Sequence, residues 1–122
     1  GMLRLPTSLS NGRANLHQGA VGVGVEMESG KTLEGVWKNS PLTIHPDTNA
    51  TLSGRIIPHW NLLLKYASKC CELSQLGYVG TDFVLDANMG PLLLEINTRP
   101  GLNIQLANKD GLLNRVKQKR AF

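Results

Sequence analysis

Residues 78–97 read YVGTDFVLDANMGPLLLEIN, two apolar runs joined by a link too short for a parallel crossover. Such a pair closes into an antiparallel hairpin, and this constrains the chain more than any other stretch. With the turn centred on Asn88-Met89, Val84 faces Leu93 and Asp82 faces Glu95. Side chains alternate along a strand, so Glu95, Asn97 and Arg99 are expected on one face, with Leu94 and Ile96 filling the other. Two carboxylates directly opposed across a strand pair repel. Neither has a cation beside it in sequence. Two readings follow. A divalent cation offsets the repulsion, held by oxygen from Asp82, Glu95 and Asn97 and completed by water and phosphate oxygens, a donor set suited to Mg2+ and not to zinc. Otherwise the carboxylates sit at exposed strand ends, paired with Arg13 or Arg99. Register decides, because a one-residue slip sends one carboxylate to the other face.

The rest of the chain supplies elements around this hairpin. MLRLPT reads as a short strand stopped at Pro6, followed by a polar loop, SLSNGRANLHQGA, without apolar periodicity. VGVGVEM and TLEGVWK are strand-like and flank Glu28-Ser29-Gly30-Lys31, which suits a turn. Residues 38–57 carry two prolines, a glycine and several Asn, Asp, Ser and Thr, the composition of a long surface loop. Pro58 opens a helix in which Trp60, Leu63, Leu64, Ala67, Cys70 and Cys71 recur at helical spacing, with Gly77 where it ends. A basic helix from about Asp110 closes the chain. The fold class is α+β, a largely antiparallel sheet with helices packed on one face.

Composition excludes several functions. A chain of 122 residues is a single-domain length, and its 41% apolar content holds no run near the roughly 20 residues of a membrane span. No signal peptide is visible, so a soluble cytoplasmic protein is expected, and Gly1 ahead of Met2 reads as a scar of tag removal. Cys70 and Cys71 are neighbours, a poor arrangement for a disulfide and too few for zinc. The net charge of +4 gathers partly at Arg115, Lys117, Lys119 and Arg120, read as a solvated helix end. Few aromatics accompany it, so nucleic acid is not an expected partner. Trp37 and Trp60 read as packing residues, and His45 and His59 as loop residues.

The series GYVGTDFVLDANMGPLLLEINTRPGL resembles the signature of ATP-grasp carboxylate–amine ligases, and the upstream GRANLHQGAVGVGV is similar to the loop before the family's phosphate-facing strand. The alpha-L-glutamate ligase-like members, with a branch associated with sugar transfer, are nearest in style. The resemblance covers about Leu3 to Leu113. It implies that Asp82, Glu95 and Asn97 hold Mg2+ against ATP phosphates. It implies further that Arg13 and Asn15 approach the phosphates or an acyl phosphate, where a guanidinium forms two parallel bonds. Arg99, between a metal ligand and a Pro-Gly turn, is expected to bind substrate or phosphate. Arg4 is either a substrate carboxylate or phosphate ligand or an ordinary surface arginine. His17 is expected to be a structural hydrogen-bonder, and Gln18 has no assigned role.

The chemistry implied is phosphorylation of a substrate carboxylate by ATP, then displacement of phosphate by an amine or another nucleophile. No Ser-His-Asp or Cys-His constellation is needed, and none is visible. The family's nucleotide lies between two α+β subdomains, and the more N-terminal one has no counterpart here. Residues 1–122 are therefore expected to be the C-terminal portion of an ATP-grasp domain that is inactive alone and associates with the absent half or with itself. The alternative from another class is a non-catalytic module that binds a phosphorylated ligand or a protein.

Overall fold

A computed structural model describes residues 1–120, with side chains through Lys117. The side chains of Lys119 and Arg120, part of the expected basic helix end, lie outside the described residues. The architecture is α+β with antiparallel strands and a few helices. Its strands form two separate sheets, where one was expected. The chain divides into two compact units, residues 57–101 and the remainder.

The larger unit is built on a four-stranded antiparallel meander: β1 (Met2–Leu5), β2 (Val21–Val25), β3 (Thr32–Trp37) and β4 (Ser40–Leu42), paired in that order. Alternation in VGVGV explains the packing. Val21, Val23 and Val25 are fully buried, and Leu3, Leu5, Trp37, Leu42 and Leu52 pack around this core. The glycines between them face the other way and leave room for backbone. A Cβ on Gly24 would stand 2.4 Å from the carbonyl oxygen of Ala107, so α2 (Asn103–Asn108) lies directly on the strand. The expected basic helix from about Asp110 is α3 (Leu112–Arg120), which starts two residues later, and α2 before it was not expected. Six residues bounded by Pro100-Gly101 and Lys109-Asp110-Gly111 give too little periodicity to announce α2. On α3, Arg115 pairs with Asp110 at 3.1 Å, which offsets part of the basic charge.

Residues 38–57 are more ordered than a loop reading implies. Trp37 pairs with Ser40, leaving Lys38-Asn39 as a two-residue turn with φ of 49° and 62°, the left-handed geometry of a type I′ hairpin. β4 follows as an edge strand, where Pro41 costs no ladder hydrogen bond. Bridges between Ile44 and Thr51 and between Lys31 and Ile56 pin the rest. Leu52 is buried, and so is His45, a loop residue as expected but only 6% exposed. His45 Nδ1 accepts the Asp47 N–H at 3.3 Å, which puts the ring proton on Nε2, 3.1 Å from the Pro6 carbonyl. Asp47 accepts the backbone N–H and the hydroxyl of Ser8 at 2.7 and 2.8 Å. The excursion is therefore clamped to the polar loop after β1.

The smaller unit is a helix against a hairpin: α1 (Trp60–Ser74), β5 (Gly80–Asp86) and β6 (Gly90–Asn97). Leu63 and Cys70 are buried, and Tyr66 stacks on Phe83 with ring centroids 6.5 Å apart. α1 ends before Gly77, because Gln75 takes the left-handed cap position and donates its N–H to the Glu72 carbonyl. Cys70 and Cys71 are free thiols. No helix among the described residues is long and apolar enough to cross a membrane.

Candidate functional site

The β5–β6 hairpin places Asp82 opposite Glu95, as its sequence requires, though by a different route. The turn is Ala87-Asn88-Met89, three residues between Asp86 and Gly90. Asp86 Oδ1 accepts the N–H groups of Asn88 and Met89 at 2.8 and 2.9 Å, and Gly90 closes the turn at φ 75°. These two backbone N–H groups hold the Asp86 carboxyl below its usual range. An odd-numbered turn sets Phe83 against Leu93 and Val84 against Leu92, so the expected Val84–Leu93 pair does not form. A one-residue bulge on β6 then restores the outer register: Asp82 faces Glu95, Thr81 faces Ile96, and Gly80 faces Asn97. The extra residue is Leu94. It is 68% exposed and does not fill the core as expected.

Phe83 meets Tyr66 of α1, so the neighbouring Asp82 and Glu95 occupy the face turned from that helix. Asn97, two positions beyond Glu95, shares it. Two carboxylates and one amide oxygen thus line one side of a two-stranded sheet. Asp82 and Asn97 are half-buried, and Glu95 is exposed. Arg99 lies past the end of β6, so its position comes from the turn and not from strand alternation. Asn97 Oδ1 accepts the Arg99 N–H at 2.9 Å. Pro100 packs over Gly80, where a Cβ would come within 2.6 Å of the proline ring. Among the described residues the Arg99 guanidinium has no protein partner.

The other expected site residues belong to the larger unit. Arg4 stands on β1 opposite Gly22 and is exposed. Arg13 is exposed on the loop before a 3-10 turn at Leu16–Gln18, and its guanidinium has no partner among the described residues. Asn15 caps that turn, with its side-chain oxygen accepting the His17 N–H at 3.0 Å. His17 Nε2 accepts from the Asn103 amide at 3.2 Å, so His17 is tied into structure, in line with its expected role. Trp37 Nε1 donates to the Gly19 carbonyl at 2.8 Å and braces the end of this loop.

An all-oxygen set of two carboxylates and an amide suits a hard divalent cation that keeps other positions for water or phosphate. One lone pair on Asn97 Oδ1 is engaged by Arg99, and the second is open to such an ion. Among the described residues no group of three or more His, Cys, Asp or Glu side chains is placed to hold a metal, which sets this pair apart from an all-protein cage. Lys38, Asn39 and Asn103 drew no attention in the sequence, yet they line a cleft with His17 and Gln18. The available signal was Trp37-Lys38-Asn39-Ser40, which reads as a tight turn once β4 is known.

Comparison with known proteins gives one positive result. The model of a family described as sugar-transfer associated ATP-grasp matches residues 1–121. No curated protein and no solved structure matches the chain.

Proposed function

The chain belongs to the sugar-transfer associated ATP-grasp family, and from that premise we propose that it serves an ATP- and Mg2+-dependent ligase. The reaction joins a carboxylate to an amine or related nucleophile through an acyl phosphate. One observation carries the reading: Asp82 and Glu95 face each other directly, with Asn97 beside them on the same face.

The residues divide the work by chemistry. Asp82 and Glu95 supply anionic oxygens to Mg2+, and Asn97 adds a neutral one. When bound, the ion neutralises phosphate charge and aligns the transferring phosphoryl group. Arg13 and Arg99 present rigid guanidinium forks, suited to two parallel hydrogen bonds with a phosphate or carboxylate. Asn15 holds the loop that carries Arg13, and its amide nitrogen is a further donor toward phosphate. Arg4 is an additional cation for substrate carboxylate or phosphate. Acyl phosphate chemistry needs alignment and charge balance, so no covalent enzyme nucleophile is required.

Paramagnetic Mn2+ in place of Mg2+ tests this reading by NMR. With ATP present, the amide signals of Thr81, Asp82, Glu95 and Ile96 should broaden first, and the Asp82→Asn, Glu95→Gln double variant should abolish the effect. Broadening centred on other residues would overturn the assignment.

A further inference from the structure

We propose that the cleft in the larger unit binds a small organic carboxylate with an apolar body, and that Lys38 is its counter-ion. The cleft encloses about 520 Å³ between the loop ending at Gly19, the Lys38-Asn39 turn and α2. Half-buried Leu16 and Val36 and exposed Leu106 give it an apolar lining, and His17, Lys38 and Asn103 add polar groups. No carboxylate lines it. Lys38 is its one fully charged side chain, so a monoanion balances it, whereas a phosphate dianion leaves a charge uncompensated. No Phe, Tyr or Trp lines it to stack a base, and the aliphatic lining suits a hydrocarbon chain.

Three features show that the rim is built. Lys38 sits at φ 49° in a turn position that favours glycine or asparagine, so the chain holds a lysine where a less strained residue would fit. Its ammonium lies 4.5 Å from the centre of the Trp37 ring, and the same indole donates to the Gly19 carbonyl. Trp37 thereby braces both walls. His17 Nε2 is occupied by Asn103, which leaves the proton on Nδ1 as a fixed donor. The cleft shares no residue with the Asp82–Glu95–Asn97 set. Binding does not depend on the ligase reading; only the identification of this anion with the acid being activated rests on it.

Titration of the full chain with hexanoate, without metal or nucleotide, tests the proposal by amide NMR. Saturable shifts are expected at Lys38, Asn39 and Asn103, with hexanamide and hexyl phosphate each binding roughly tenfold more weakly. Lys38→Asn is the decisive variant, because asparagine tolerates the left-handed turn and removes the charge. It should fold at least as stably as the parent and lose roughly tenfold in hexanoate affinity. Absence of saturable shifts, equal binding of hexanamide, or unchanged affinity in Lys38→Asn would each overturn the proposal. Hexyl phosphate binding more tightly than hexanoate would overturn the carboxylate assignment.

Discussion

Asp82 stands opposite Glu95 because two irregularities of opposite sense cancel: the three-residue turn displaces the register by one, and the bulge at Leu94 returns it. Deleting Leu94 takes out the extra residue and leaves the turn intact. The ladder then runs from Phe83–Leu93 straight to Asp82–Glu95, so the two carboxylates stay opposite each other on one face. Metal-dependent broadening at Asp82 should persist in the deletion variant, while Asp86 and Gly90 keep their signals. Loss of broadening would mean that the bulge, and not the opposed pair alone, shapes the ion site.

Electrostatics of the pair gives a second expectation. Glu95 is exposed, so Glu95→Gln removes a like charge without opening a cavity. Without divalent metal this variant should be more stable by about 0.5 kcal/mol, the scale of a cross-strand pair. Adding Mg2+ should stabilise the parent more than the variant, because only a group that binds the folded state shifts the equilibrium. Urea unfolding with and without Mg2+ measures both quantities.

How much of this was legible in the sequence depends on the element. The hairpin was, because apolar runs around a short link leave few options. Its inner register was not, since Leu94 reads as one more core residue in PLLLEIN and nothing local marks it as a bulge. β1 to β3 follow from alternation, whereas β4 is three residues long, contains Pro41 and pairs only at the sheet edge. α2 is held by the glycine face of β2, a tertiary cause that periodicity does not carry. For the site, strand spacing put Glu95 and Asn97 on one face and pairing added Asp82. Arg13, Asn15 and Lys38 lie on turns, where position comes from hydrogen bonds that sequence does not display.

Packing of α2 on β2 makes Gly24 the most sensitive glycine of the sheet. Gly24→Ala sets a methyl group against the Ala107 carbonyl, a backbone atom that cannot rotate away. Destabilisation of about 1–3 kcal/mol is expected, read as a fall in the thermal midpoint. Gly77→Ala is the control: a Cβ there meets nothing within 4 Å, and the change should stay within about 0.5 kcal/mol.

Asp47 predicts an acid limb in stability. The backbone N–H and hydroxyl of Ser8 hold its carboxyl below the ordinary value of 3.8. A carboxylate depressed on folding contributes stability that is fully present above its unfolded value and is lost as pH falls through the folded one. Parent and Asp47→Asn should therefore differ in urea midpoint near neutrality and converge only as the pH falls below 3.8 and through the lowered folded value. A difference that persists in acid would show that packing, and not ionisation, sets the role of Asp47.

Asn97 joins the turn to the candidate metal face, and two substitutions separate these roles. Its Oδ1 accepts the Arg99 N–H, and its remaining lone pair is open to a cation. Asn97→Asp keeps an acceptor for Arg99 and adds a negative charge beside Asp82 and Glu95. Stability should fall without metal by several tenths of a kcal/mol, and divalent affinity should rise, because an anionic oxygen replaces a neutral one. Asn97→Ala loses both functions: the Arg99 N–H is left to solvent, at a cost of about 1 kcal/mol, and divalent affinity falls. Opposite signs for the two variants in metal titration, with destabilisation in both without metal, follow only if one side chain serves turn and ion together. If Asn97→Asp binds divalent ions no better than the parent, the amide acts in the turn alone and the ion rests on Asp82 and Glu95.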